Sequence, residues 1–212
     1  MIPSLAERLK TDTRSLHTAA ERSRFMVALM RGQVDRAAYC ALLRNLSAIY
    51  AALEPALARH AGHPLIRPVH VPALFRTAAL ARDLALLHGP RWADEIPLQP
   101  ATRDYVARLH ELDAGRPALL LAHAYVRYLG DLSGGQMLRR VVAQNPALGG
   151  ERGVAFYEFG DPAATRALTD AFRAGLASLA PDPPDADALV AEAQRAFALH
   201  QRLFDGLAAE TP

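Results

Sequence analysis

The chain has 212 residues, about half of them hydrophobic, which suffices for one domain with a substantial core. Its 24 basic and 22 acidic residues leave a formal charge of +2 with no clustered basic run, which excludes nucleic acid as the main partner. A single cysteine, Cys40, rules out an internal disulfide and fits a reducing compartment.

Ser4 followed three residues later by Glu7 has capping-box spacing and predicts a helix from there to about residue 21. The opening MIPSLAERLK is charged almost at once and lacks the apolar core of a secretory signal. Apolar residues then recur at intervals of three and four through Phe25 and Leu29, through 42–57 and through 74–84. Segments rich in Ala, Leu and Arg continue over 102–112, 117–144, 163–179 and 185–207. The turn signals GHP, PVHVP, HGPRW, NPALGG and PDPP separate them. VHV at 69–71 is short and proline-bounded, and no other strand signal stands out. No apolar run approaches the ~20 residues that cross a bilayer. The expectation is a cytoplasmic, all-α single domain of about eight helices spanning 1–212, with its core over about 5–207 and no membrane anchor.

Two places along these helices carry chemistry. On the first, Lys10, Arg14, His17 and Glu21 lie within about 100° of arc, on one side. A carboxylate one turn beyond a histidine can fix its tautomer and leave the other ring nitrogen for a metal. An ordinary i,i+4 ion pair on an exposed helix face reads the same way. No HExxH, CxxC or two-His-one-carboxylate spacing accompanies it, so a bare ion would lack further ligands. A single histidine suffices where the metal arrives inside a macrocycle.

The second place is YVRYLGDLSGGQMLRR at 125–140, where Gly130, Gly134 and Gly135 interrupt a helical pattern. Together they forgo about 2–3 kcal/mol of helix propensity. Either the helix stops there, with Asp131 or Ser133 in a turn, or bare backbone must lie against a flat object and bend across it.

HAYVRYLGDLSGGQ at 123–136, with LHTAAE at 16–21, IYAALE at 49–54 and GPRW at 89–92, resembles the haem oxygenases over nearly the whole chain. The resemblance implies that haem b lies between a proximal N-terminal helix and a glycine-bent distal helix. There, dioxygen and electrons open it to biliverdin, IXα by default, with carbon monoxide and ferrous iron, for iron acquisition or bilin supply. His17 would ligate the iron, with Glu21 holding its other nitrogen. Gly130, Gly134 and Gly135, with Ser133 among them, would let the distal backbone approach the ring. Asp131 would deliver protons through water, and Tyr50 would help order that water. Lys10, Arg14, Tyr125, Arg127 and Arg173 would contact the propionates, and Met26, Leu29, Phe197 and Phe204 would line the pocket. Thr169 replaces a propionate-facing lysine of some relatives, and His200 replaces an asparagine. Both bear on the ring's rotation and hence on which meso edge reacts. An acidic ferredoxin or a flavoprotein reductase would supply electrons, since no GxGxxG occurs. A haem carrier that does not degrade its ligand has no need of Asp131. A thiamin-degrading or quinone-cofactor enzyme on a related helical fold remains a third reading.

Overall fold

In the computed structural model, which describes residues 3–210, Ser4 opens the first helix as its spacing anticipates. Its Oγ accepts from the Glu7 amide while its own amide donates to the Glu7 carboxylate at 2.8 Å. Ten α-helices follow in chain order: α1 (Leu5–Asp12), α2 (Arg14–Glu21), α3 (Arg24–Met30), α4 (Arg36–Arg59), α5 (Thr77–Leu87), α6 (Trp92–Glu95), α7 (Pro100–Gly115), α8 (Leu120–Ala143), α9 (Pro162–Ala177) and α10 (Pro183–Glu210). No strand forms among the described residues; Val69 ends one 3₁₀ turn, and His70 and Val71 link it to the next. No helix among them is long and apolar enough to cross a membrane.

Among the described residues ten α-helices stand where about eight were expected, for two local reasons. The predicted 4–21 helix breaks at Thr13, a buried residue whose hydroxyl donates back to the Leu9 carbonyl at 2.7 Å. That side-chain bond competes with the backbone ladder and bends the chain. Lys10 therefore lies on α1, while Arg14, His17 and Glu21 lie on α2. The second addition is α6, a four-residue turn too short to show a period.

Capping chemistry fixes several other starts. Asp35 and Asp161 accept from the amides of Ala38 and Ala164, each at 2.7 Å. Glu54, the last residue of IYAALE, is buried in α4 and accepts the amides of Arg76 and Thr77. It thereby caps α5 from a neighbouring helix.

The long helices α4, α7, α8 and α10 pack on one another, and α10 also carries α1, α2 and α3 along its side. Arg8 of α1 pairs with Asp187 of α10 at 2.6 Å, and Gln194 donates to the Asp12 carbonyl at 3.1 Å across the Thr13 break. Where α7, α8 and α10 meet, buried Glu192 accepts from Arg108 at 2.6 Å and meets His123 Nε2 at 3.1 Å, and His123 Nδ1 reaches the Tyr105 hydroxyl at 3.0 Å. Burial pushes the Glu192 carboxyl up, but the bonds to His123 and Arg108 outweigh this and hold it at about 2. A depressed carboxylate stabilises the fold above its unfolded pKa and loses that contribution as pH falls toward the folded value. Glu192→Gln is therefore expected to destabilise the protein by about 2–3 kcal/mol at neutral pH, since it removes the buried charge that both Arg108 and His123 bond to. Urea titrations of the two proteins should converge as pH falls from about 4.5 to about 2.

Candidate functional site

α8 runs unbroken from Leu120 to Ala143 through all three glycines, so the helix does not stop at DLSGG. One face of it floors a cavity of about 330 Å³. The opposite wall is His17, Ala20 and Glu21 of α2, with Met26 and Met30 of α3 beside it. Leu42 and Leu46 of α4, Phe197, His200 and Phe204 of α10, and the Phe156–Tyr157 corner close the rest.

A Cβ placed on Gly130 or Gly134 would meet nothing within 4 Å, while one on Gly135 would touch Tyr157 at 3.4 Å. No neighbour in the fold requires glycine at 130 or 134, yet both sit in a helix, the setting where glycine is least favourable. The space they keep clear is the cavity itself. Gly134→Ala should therefore raise unfolding stability by about 1 kcal/mol, read by urea titration. The same substitution should weaken binding of a flat ligand by about tenfold, read by spectral titration, because the added methyl occupies the floor.

His17 is half exposed, with its side chain at 49 %. Nδ1 lies 3.5 Å from the Glu21 carboxylate, and Phe197 meets the ring edge-on at 5.8 Å. With Nδ1 turned to Glu21, Nε2 is the nitrogen left for a ligand. Among the described residues no group of three or more metal-ligating side chains gathers anywhere. A lone histidine on an apolar wall, with a stretch of helix kept bare by Gly130 and Gly134 on the floor, fits a planar chelate that brings its own equatorial ligands.

Across the cavity, Asp131 is buried within a closed polar cluster. Tyr50, wholly buried on α4, donates its hydroxyl to Oδ2, and Arg127 donates Nη2–H to Oδ1 at 2.7 Å. Arg127 also donates from Nε to the Tyr50 oxygen at 3.1 Å and from Nη1 to His200 Nε2 at 2.8 Å. Burial pushes the Asp131 carboxyl above its ordinary pKa, against the lowering influence of Arg127 and Tyr50. Burial alone would lower the Arg127 guanidinium, but the Asp131 carboxylate and the Tyr50 oxygen it bonds outweigh this and keep Arg127 protonated.

A partly exposed histidine and a buried carboxyl thus face one apolar cavity across a glycine floor. The family model for heme oxygenase matches residues 3–206. Heme oxygenase 1 of Homo sapiens is 41 % identical over 98 % of this chain and 73 % of its own length. The structure of heme oxygenase-2 from Synechocystis in complex with heme and NO superposes with a TM-score of 0.89 at 39 % identity, covering 97 % of this chain and 85 % of that one. Heme oxygenase-1 from the same organism, in complex with heme, gives a TM-score of 0.90 at 36 % identity over 98 % and 94 %. The chain belongs to the heme oxygenase family. That family comprises oxidoreductases that degrade haem to biliverdin.

Of the residues that the heme oxygenase resemblance singled out, His17, Glu21, Met26, Arg127, Gly130, Asp131, Gly134, Gly135, Phe197 and Phe204 line the cavity. Tyr50 stands one bond behind it. Leu29 lies in the core, wholly buried and off the cavity wall. Ser133 is exposed and returns its hydroxyl to the Leu129 carbonyl at 2.5 Å. Lys10, Arg14 and Arg173 are exposed on α1, α2 and α9, and Tyr125 is half-buried; none of the four lines the cavity. Arg127, grouped with the propionate contacts, has all three nitrogens engaged inside the protein.

Sequence reading missed several wall residues. Met137 lies three residues beyond Gly134, a helical step that could have found it, and is one of two strongly exposed large hydrophobics among the described residues. Leu42 and Leu46 are indistinguishable by period from ordinary core. Phe156 and Tyr157 come from irregular 3₁₀ turns held by Asp83, which accepts the amides of Ala155 at 3.0 Å and Phe156 at 2.8 Å. Burial pushes that carboxyl up to about 6.

Proposed function

We propose that the cavity takes haem b as substrate, with His17 Nε2 as the proximal iron ligand, and opens it to biliverdin IXα, carbon monoxide and ferrous iron. The iron, when haem is bound, supplies the binding and reduction of dioxygen. The Glu21 carboxylate, 3.5 Å from Nδ1 of His17, favours the tautomer protonated there, which leaves Nε2 free for the iron. Gly130 and Gly134 let backbone lie against the distal face of the ring.

Asp131 handles protons. Each of its oxygens accepts one bond from the protein, which leaves a lone pair on each for water. Burial holds that carboxyl above its ordinary pKa, and water bonded to it carries protons to the reacting oxygen. Lys10, Arg14 and Arg173 are exposed on neighbouring helices, α1 packing against both α2 and α9, and are the cations that meet the carboxylates of haem. Electrons come from an acidic ferredoxin or a flavoprotein reductase, in the cytoplasm.

The observation that carries this reading is a buried carboxyl and a free imidazole nitrogen facing each other across a floor of glycines. Purified protein mixed with haem, a reductant and air should lose its Soret band, gain bile-pigment absorption and release carbon monoxide. A Soret band that persists without pigment would overturn the reading.

A further inference from the structure

His200 lies in α10, 2 % exposed, on the cavity wall. A buried imidazole leaves an unpaired polar atom, worth about 1–3 kcal/mol, unless both ring nitrogens are matched. Here both are, and the partners dictate the ring's state. Nδ1 is 3.0 Å from the Ala196 carbonyl, which only accepts, so Nδ1 carries the proton. Nε2 is 2.8 Å from Nη1 of Arg127, which only donates, so Nε2 is the bare acceptor. A second proton would point an N–H at a guanidinium. The surroundings agree on every side. Arg127 of α8 adds positive potential, to which His123 of α8 would add only if protonated; Tyr105 of α7 lies edge-on at 5.0 Å, and Phe204 of the same helix lies at 6.0 Å. Burial first, then Arg127, holds the imidazole well below its ordinary pKa.

The three nitrogens of Arg127 are thus divided among α4 (Tyr50), α10 (His200) and α8 (Asp131). A guanidinium is planar, so holding Nη1 sets the plane in which Nε and Nη2 must point. We propose that His200 is a positioning residue: as the neutral Nδ1–H tautomer it accepts from Arg127 and thereby aims the guanidinium at Asp131 and Tyr50, fixing the proton-delivering carboxyl. The step from this tether to turnover rests on the haem-opening reading above, but the tether itself belongs to the protein alone.

The test separates the two. In apoprotein labelled with ¹⁵N, the His200 ring should show one Nδ1-protonated pattern, unchanged from about pH 5 to about pH 8, where an ordinary histidine titrates. His200→Leu should shift the Arg127 Nε–H signal. With haem, that variant should turn over about tenfold more slowly, with an altered pH–rate profile. His200→Gln, whose amide oxygen can accept from Nη1, should recover most of the rate and the parental profile. A ring that titrates between about pH 5 and 8 overturns the proposal. So does His200→Leu with the parental rate and profile, and so does equal loss in both variants with the Arg127 signal unmoved. If the parent protein does not open haem at all, the functional reading falls, while the apoprotein spectra still decide the tether.

Discussion

Asp131→Ala is expected to keep haem bound and to cut biliverdin formation about 100-fold or more, the scale on which a positioned proton donor acts. Asp131 is 4 % exposed, raised by burial, and is the carboxyl within the distal cluster. The substitution also strands the Arg127 charge and the Tyr50 hydroxyl, so a loss of about 3 kcal/mol in stability accompanies it. Asp131→Asn controls for that loss. The amide keeps the volume and still accepts from Tyr50 or Arg127, but it has no proton to deliver near neutral pH. Single-turnover spectra of both variants, taken well below their unfolding midpoints, should show reductant and oxygen consumed without bile pigment. Biliverdin at the parental rate from Asp131→Asn would remove the carboxyl from the proton path.

His17→Ala is expected to be as damaging to turnover and nearly silent in stability. Its side chain is 49 % exposed, its contact with Glu21 is long at 3.5 Å, and its ring touches Phe197 only by an edge. Exposed substitutions of this kind change folding by about 0.5 kcal/mol or less. A turnover loss of about 100-fold corresponds to ~2.7 kcal/mol of lost transition-state stabilisation, far more than any change in the fold supplies. The variant should hold haem loosely, and added imidazole, filling the space the side chain leaves, should restore part of the rate. Unchanged turnover would take the proximal role away from this histidine.

The two substitutions differ because the two residues sit in different dielectric settings. His17 lies at the edge of the cavity, where solvent screens its pairing with Glu21 and leaves the ring free to bind. Asp131 is buried, where bulk solvent screens it little, and Tyr50, Arg127 and His200 form one connected cluster with it. A cluster of that kind is stable only when each member is paired. Changes at Arg127 or His200 should therefore reach Asp131 without either residue touching the reacting atoms.

Much of this was legible along the chain because it is local. The Ser4–Glu7 box, the three-four apolar spacing and proline or glycine at the breaks act within one or two turns, so they specify where most helices start and stop. The glycine triplet and the LHTAAE segment were likewise visible as residues that helix propensity alone does not explain. Thr13 marks the limit of that legibility. Its hydroxyl-to-carbonyl bond splits the first helix, and threonine at an apolar-period position carries no sign of doing so.

By itself the sequence determined an all-α domain, a histidine with a carboxylate one turn on, and a helix that keeps side chains off one face. Those properties depend on neighbours three and four residues apart. Only the tertiary structure decided what Arg127 does. Its partners Tyr50 and His200 are 77 and 73 residues away, and their approach turns an arginine expected at the propionates into the holder of Asp131. It also placed Leu29 in the core and brought Phe156 and Tyr157 to the cavity wall. Periodicity says which face of a helix is buried. Whether that face meets other side chains or an open cavity depends on how distant helices cross, and spacing along one helix does not encode that.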